Sequence, residues 1–480
     1  MRKTFLLLAA AALALTPAAA QRLHYLNPQD VAEAQRENAA LVQDLGGRET
    51  GRRAAYVDAV GHRVAAYSGI ANPGQELHFT TLNSAVENAF SIPGGYVYVT
   101  RQLMVLMSDE SQLAFALGHE VGHIAANHAH IREQYAERST LGIFGQIVRA
   151  IFGPGAADIL QARSALDFLS FSREQEYEAD TLGLKYMVAA GYDPAGAAGV
   201  LAALSRESAL EARVQGRSNR QTPEWASTHP LSENRLQRAL AEAQATGRLG
   251  QGSRGRDTYL SELEGTFVDD DPAQGVIEGP TFTHPDLKIQ FRVPQGYLMS
   301  NGTDAVTISG SAGKAQFRQG PADLDQAIAF AYRLLTGGQR QIEYPLPRRL
   351  VINGMQAAAT SARVETNSTL LDASVVAYRW DPRRVYYFVM LTPGGYGISP
   401  FVPMINSLRR ITPAEASAIR PRVIHIETIR PGDTLRSLSN KMAYPSFRLE
   451  RFLSLNGLAA NSTLVPGEKV KLVVYGTRRR

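Results

Sequence analysis

Read for hydrophobic and polar order alone, the chain shows a helical period from Val31 to Ser68, interrupted at Gly46 and Gly47. Alternation replaces it at Glu76–Leu82 and predicts a strand. Pro93-Gly94-Gly95 then turns the chain into a second strand, Tyr96–Thr100. The next helical pattern starts near Ser108 or Asp109, with Gln112 three residues past Asp109 as in a capping box. A second capped helix is predicted from Ser172, with Gln175 three residues on, and Gly191 and Pro194 stop it. Between the two, residues 141–170 are apolar and broken by Gly and Pro. Helical pattern returns at 195–212 and 232–246, and the Gly-rich run after it predicts a linker over 247–264.

Residues 265–412 alternate short strand-like runs (Lys288–Val293, Ala373–Trp380, Val385–Leu391) with a helical run, Leu324–Leu335. This predicts an α+β module, and no pattern within it carries chemistry. A proline-containing connection leads to a last unit, 421–476, with the order strand, helix, helix, strand. The fold class is therefore α+β: a mainly helical domain over 21–246 with a small sheet, then the α+β module, then a βααβ unit.

Composition narrows the chemistry. At 480 residues, with 44% hydrophobic and 20% charged positions, the chain is an ordinary globular protein of two to four domains. The net charge of +5 comes from scattered arginine whose densest run is only Arg478–Arg480, too thin to argue for nucleic acid. The first twenty residues place Arg2 and Lys3 before an apolar run and end in Ala18-Ala19-Ala20, the pattern of a secretory signal peptide cut after Ala20. The apolar run is shorter than the ~20 residues that span a bilayer, and no later segment reaches that length. The mature chain is expected to be soluble, in the periplasm or secreted. With no cysteine, disulfides and thiolate ligands are excluded, so any metal site must use His, Asp and Glu.

Four of the ten histidines fall in GHEVGHIAANHAH, residues 118–130. Residues four apart share a helix face, so His119 and His123 can offer imidazole nitrogens to one ion, with the Glu120 carboxylate beside them as a base. This H-E-x-x-H arrangement points to zinc-dependent hydrolysis of a peptide bond. Glycine inside a helix costs ~1 kcal/mol relative to alanine; Gly118 and Gly122, four apart, clear one side for another element. A third histidine in the metzincin pattern would fall at residue 129, which is alanine, so that class is excluded. The remaining third ligand is acidic: Glu176 and Asp180 lie four apart on the helix from Ser172, with Glu176 placed to ligate zinc and Asp180 to accept the free N–H of a ligand histidine. Glu174 and Glu178 belong to other faces. His128 and His130 fall off the ligand stripe and read as packing or surface residues; His24, His62, His78, His284 and His425 are isolated.

With these residues in place, the chain resembles the BepA/HtpX/Oma-type family of zinc metallopeptidases, in its secreted bacterial gluzincin form. The resemblance covers about residues 28–245 and rests on Asn88-Ala-Phe90 with Pro93-Gly94-Gly95, on His119-Glu120-x-x-His123, on Glu176-x-x-x-Asp180 and on Thr228-His229-Pro230. It implies one zinc per chain, held by His119, His123 and Glu176. It also implies an active-site cleft whose edge strand pairs with an extended substrate, which would make Asn88, Tyr96, Val97 and Tyr98 substrate-binding residues. It suggests that His229 closes over the zinc's open position at rest and, displaced, donates to the oxyanion.

The last unit resembles a LysM module through Pro431-Gly432-Asp433-Thr434-Leu435, Asn456-Gly457-Leu458 and Pro466-Gly467-Glu468, which implies binding to N-acetylglucosamine glycans and a separable tether to peptidoglycan. The segment KMAYPSFRLE, 441–450, departs from the pattern of such modules. The expected function is a zinc endopeptidase of the bacterial envelope acting on misfolded or misassembled proteins, in protein quality control. A chaperone with a normally closed protease site, and a wall-associated hydrolase, are the alternatives.

Overall fold

The computed structural model describes residues 24–128, 171–214, 229, 233–302, 304–335, 342–365 and 370–477. The expected signal peptide, the apolar stretch 141–170 and His130 lie outside them. Among the described residues no helix is long and apolar enough to cross a membrane.

Helices α1 (Pro28–Asp44) and α2 (Arg52–Ala65) occupy the first helical period, with Gly46 and Gly47 in the loop between them. A single turn, α3 (Pro73–Glu76), precedes β1 (His78–Leu82), so the predicted strand starts two residues late. The strands β2 (Ala89–Ile92) and β3 (Tyr96–Thr100) form a hairpin across the Pro-Gly-Gly turn. Gly94 and Gly95 have φ of 85° and 91°, and a Cβ on Gly95 would sit 2.0 Å from the Glu76 carbonyl oxygen, so glycine is required there.

Helix α4 (Arg101–Leu106) continues directly from β3 and leads to α5 (Glu110–Ala125), capped by the Asp109 side chain accepting from Gln112 N. The Gln112 side chain accepts from Ser108 N, one residue before the cap. Helix α6 (Arg173–Ala189) starts in a full capping box of Ser172 and Gln175. Helices α7 (Ala195–Val214) and α8 (Glu233–Ala245) complete the helical layer.

Residues 247–264 are more than a linker. Helix α9 (Arg256–Leu263) forms there and buries Tyr259, Leu260 and Leu263, and the Tyr259 hydroxyl donates to Met104 O over 2.6 Å. The glycine-rich composition describes only the start of this stretch.

The α+β module holds a seven-stranded antiparallel sheet in the order β11 (Arg348–Ile352), β12 (Met355–Glu365), β13 (Leu370–Asp381), β14 (Arg384–Pro393), β10 (Gly313–Gly320), β9 (Ala305–Gly310) and β8 (Leu298–Asn301), with β8 and β11 at its edges. One face is covered by α10 (Leu324–Leu335), the other by a small sheet that includes β7 (Ile289–Arg292). The last unit pairs β16 (Arg422–Thr428) with β17 (Lys469–Tyr475) and places α11 (Leu435–Ser439) and α12 (Arg448–Asn456) between them.

This unit does not stand apart. Ile424, Leu438, Phe452, Leu472 and Val473 share one apolar core with Leu103, Leu113, Leu117 and Leu201 of the helical domain. Strand β4 (Phe267–Val268), from the start of the α+β module, adds a third strand beside β16. Lys471, 1% exposed, extends from β17 to the carbonyl oxygens of Val105 and Met107 at the end of α4, each 2.6 Å from Nζ.

Candidate metal centre

Helices α5 and α6 approach closely because three glycines line their crossing, Gly118 against Gly183 and Gly122 against Ala179. A Cβ at Gly118 would lie 3.2 Å from Gly183 O, one at Gly122 would lie 3.2 Å from Ala179 O, and one at Gly183 would lie 2.8 Å from His119 N. That proximity sets the α6 acids against the α5 histidines. His119, His123, Glu176 and His229 each offer a ligand atom within 4.8 Å of the others, and all four are buried.

The donors converge as a metal requires. His119 Nε2 lies 3.0 Å from His123 Nε2 and 3.3 Å from His229 Nδ1, while His229 Nδ1 is 2.8 Å from Glu176 Oε1. Zinc–nitrogen bonds of ~2.0–2.1 Å place neighbouring donors of a tetrahedron about 3.3 Å apart, so three histidines and a carboxylate here fit zinc. Burial, followed by the charges of His119 and His229, holds His123 well below its ordinary pKa, which favours the neutral imidazole that ligates metals.

Behind the donors, each α5 histidine has a partner on its other nitrogen. Asp180 Oδ1 lies 3.0 Å from His119 Nδ1. His128 Nδ1 lies 2.9 Å from His123 Nδ1, and His128 Nε2 is 3.3 Å from Glu178. His128, whose spacing suggested a packing or surface residue, is buried against a ligand histidine and can position it. Left-handed Asn127 (φ 56°) ends the helix and turns His128 back toward the site.

Arg235, on α8 and 2% exposed, was not legible as a site residue. It donates through Nε and Nη2 to Asp180 over 2.9 and 2.7 Å, and its Nη1 lies 2.7 Å from Glu176 Oε2. Burial alone would raise the Asp180 pKa, but Arg235 and then His119 outweigh it and hold this carboxyl well below its usual range.

Glu120 is fully buried. Its Oε2 accepts from the Ser91 hydroxyl over 3.0 Å, and its Oε1 lies 3.4 Å from His229 Nε2. Phe171 stacks on His123 at 3.8 Å and lies 6.0 Å from His229, so an aromatic ring and an imidazole together close the centre.

The four residues expected to bind substrate are placed elsewhere. Strand β3 is the middle of a three-stranded sheet, β1-β3-β2, parallel to β1 and antiparallel to β2, and has no free edge. Tyr96 and Tyr98 pack with Leu41 and Val42 of α1, Val97 faces the main core, and Asn88 is 1% exposed, its side chain meeting no hydrogen-bond partner among the described residues. The edge beside the centre belongs to β2, whose Ser91 touches Glu120.

Residues 51–243 match Peptidase family M48, and residues 428–473 match the LysM domain. Over residues 51–243 the chain is similar to an M48 peptidase domain. It is 30% identical over 190 residues to the beta-barrel assembly-enhancing protease of Escherichia coli (strain K12), an alignment covering 38% of this chain and 37% of that protein. It is 32% identical over 199 residues to the mitochondrial metalloendopeptidase OMA1 of Schizosaccharomyces pombe, covering 39% of this chain and 53% of that one. The chain therefore spans little more than a third of the bacterial relative and about half of the fungal one.

Proposed function

We propose that the chain is a zinc-dependent endopeptidase of the bacterial cell envelope, secreted to the periplasm by its N-terminal signal and held at peptidoglycan by the LysM unit. The observation that carries this reading is the convergence of His119, His123, Glu176 and His229 beside the buried carboxylate of Glu120. When bound, zinc supplies the positive charge that acidifies a water molecule from a pKa of 15.7 to roughly 7 and polarises a peptide carbonyl.

The side chains then divide the work. His119, His123 and Glu176 hold the ion, oriented by Asp180, His128 and Arg235. Glu120 accepts the proton of the attacking water on Oε1, because Oε2 is engaged by Ser91. His229 occupies the substrate's place at rest and must withdraw.

Substrate alignment falls to the outer edge of β2. Thr100 N donates to Asn88 O, so antiparallel alternation pairs Phe90 with Tyr98 and Ile92 with Tyr96. The N–H and C=O of Ala89 and Ser91 then point away from β3, on the edge where an extended chain would add once the buried strand is uncovered. Such backbone recognition suits unfolded or misassembled proteins as substrates.

The test is zinc content and casein cleavage, wild type against Glu120→Gln. Full metal with cleavage lowered by several orders of magnitude supports the mechanism, whereas retained cleavage refutes it. The buried, His229-closed centre also favours a second reading, an assembly factor whose protease site is normally shut. In that case Glu120→Gln abolishes cleavage and leaves the cellular phenotype intact. Digesting sacculi beside an unfolded protein separates both readings from a wall hydrolase.

A further inference from the structure

The segment that departs from the LysM pattern builds a cleft. Residues 440–447 connect α11 to α12 and fold back on β17, with Ala443 N donating to Val473 O over 2.8 Å. The space they enclose measures ≈ 400 Å³ and is lined by Lys441, Tyr444, Pro445, Arg448 and Tyr475 over a floor of Met442 and Ala443. It lies at the Arg422–Tyr475 end of the β16–β17 ladder, whereas the exposed turns after Thr428 and before Lys469 lie at the other end.

Its walls are aromatic and cationic. Tyr444 sits between the guanidinium groups of Arg422 and Arg451, 4.9 and 4.3 Å from its ring centroid, and Arg420 lies 5.3 Å from that of Tyr475. Asp269 and Glu278 neutralise Arg422, Glu211 pairs with Arg451, and Glu427 pairs with Lys441 at 3.2 Å. Among the described residues no carboxylate pairs with Arg448, which lines the cleft and donates through Nε to Tyr444 O and through Nη1 to Asn440 O, the latter over a long 3.4 Å. Lys441 is half exposed, and a solvated pair of this kind is weak enough to exchange partners. The Tyr475 ring is 46% exposed and offers an apolar face. Phe447, the residue before Arg448, adopts a left-handed φ of 54°, unfavourable for an aromatic residue, which marks the connection as held in one shape.

We propose that this cleft is a second saccharide site, taking an anionic sugar whose ring stacks on Tyr475 and whose carboxylate is held by Arg448 and Lys441. A guanidinium matches a carboxylate as a planar fork, and an aromatic face receives the C–H side of a sugar ring. The volume suits one or two sugar residues. The choice of saccharide rests on the reading of residues 421–476 as a wall-binding unit.

The test is calorimetry on the full chain with three probes: an N-acetylglucosamine–N-acetylmuramic acid disaccharide, its methyl ester, and chitotetraose, which carries no charge. The acid is expected to bind at least tenfold more tightly than the ester, with an affinity that falls as salt rises. Arg448→Gln should remove that advantage and leave chitotetraose binding unchanged. Tyr475→Ser and Lys441→Gln, at the surface, each weaken acid binding and carry the test should Arg448→Gln fail to fold. Equal binding of acid and ester overturns the site, as does competition by inorganic phosphate as strong as by the sugar. Chitotetraose alone reports on the wall-binding reading: if it fails while the acid binds through Arg448, the cleft stands and the other glycan site falls.

Discussion

Lys471 is the residue on which the position of the LysM unit can be put to a quantitative test. Its Nζ contacts the carbonyl oxygens of Val105 and Met107 at 2.6 Å and that of Leu106 at 3.4 Å. These are the acceptors a helix leaves unpaired at its C-terminal end, here α4, and Ser108 and the cap residue Asp109 follow immediately. Arg256 supports the same junction, donating to Ser108 O on one side and Lys469 O on the other. Lys471→Met keeps the length of the side chain and removes the donor. Two buried carbonyls then lose their partner at ~1–3 kcal/mol each, partly offset because the amine no longer has to be desolvated. The net loss is about 2–4 kcal/mol, which in a chain this size lowers the melting temperature by roughly 2–4 °C.

Burial, and then the charges of Arg256 and Arg206, push the Lys471 pKa well below the ordinary lysine range. The folded state therefore holds fewer protons here than the unfolded state. The contribution of Lys471 to stability grows as pH rises toward the ordinary lysine pKa and shrinks as pH falls, and Lys471→Met should flatten that part of the stability profile. Thermal melts of both proteins from pH 7 to 10, with zinc content and casein cleavage measured alongside, check the argument. A variant melting within a degree of wild type, together with a chain truncated before residue 421 that keeps full zinc and activity, would restore the separable tether and refute the shared core.

Three further outcomes are expected. His128→Ala should weaken zinc binding about 10–100-fold, as loss of a group behind a ligand histidine commonly does, read by competition with a chromogenic chelator. His229→Ala should retain zinc, since His119, His123 and Glu176 remain, and raise casein turnover; zinc loss as severe as in His119→Ala would make His229 an obligatory ligand instead. Asp270, raised by burial to about 6, is a carboxyl whose folded pKa exceeds its unfolded one, so its contribution is fully present below about pH 4 and lost as pH rises through 6. Asp270→Asn should therefore raise the melting temperature at pH 8 relative to wild type and give no gain at pH 4.

What could be read from the sequence was local. The spacing of His119, Glu120 and His123, and of Glu176 and Asp180, is a property of one helix turn, and the capping residues Asp109 and Ser172 announce where those helices begin. Arg235 carries no such signature: a lone arginine on an amphipathic helix looks solvated, and only the packing of α8 on α6 brings it to Asp180. His128 lies off the helical stripe because the helix has already ended at Asn127. The strand Tyr96–Thr100 was legible as a strand, but strand order is set by distant pairing, and β1 takes the edge that the substrate was expected to use. Lys471 misleads for a related reason. Between Val470 and Leu472 it alternates as an outward-facing polar residue, and the surface it faces is supplied by a helix more than 360 positions earlier in the chain.

The closed centre sets two demands against each other. Its four donors satisfy zinc most completely when His229 is in place, and the same imidazole lies 3.4 Å from Glu120 Oε1, where the proton must be received. On the proposed function the most stable arrangement is inactive, and activity would scale with the fraction of molecules in which His229 has withdrawn. A chain open one time in a hundred works at about a hundredth of its intrinsic rate at low substrate, and anything binding the open form better shifts that fraction by its differential affinity alone. On the proposed function, an extended substrate pairing with the buried β2 edge would provide such a difference, since Ser91 of β2 touches Glu120 and Phe171 lies against both His123 and His229. Folded proteins present few unpaired extended segments, so on the proposed function they would not open the site, and selectivity for misassembled chains would follow from the geometry of closure without a pocket for any particular side chain.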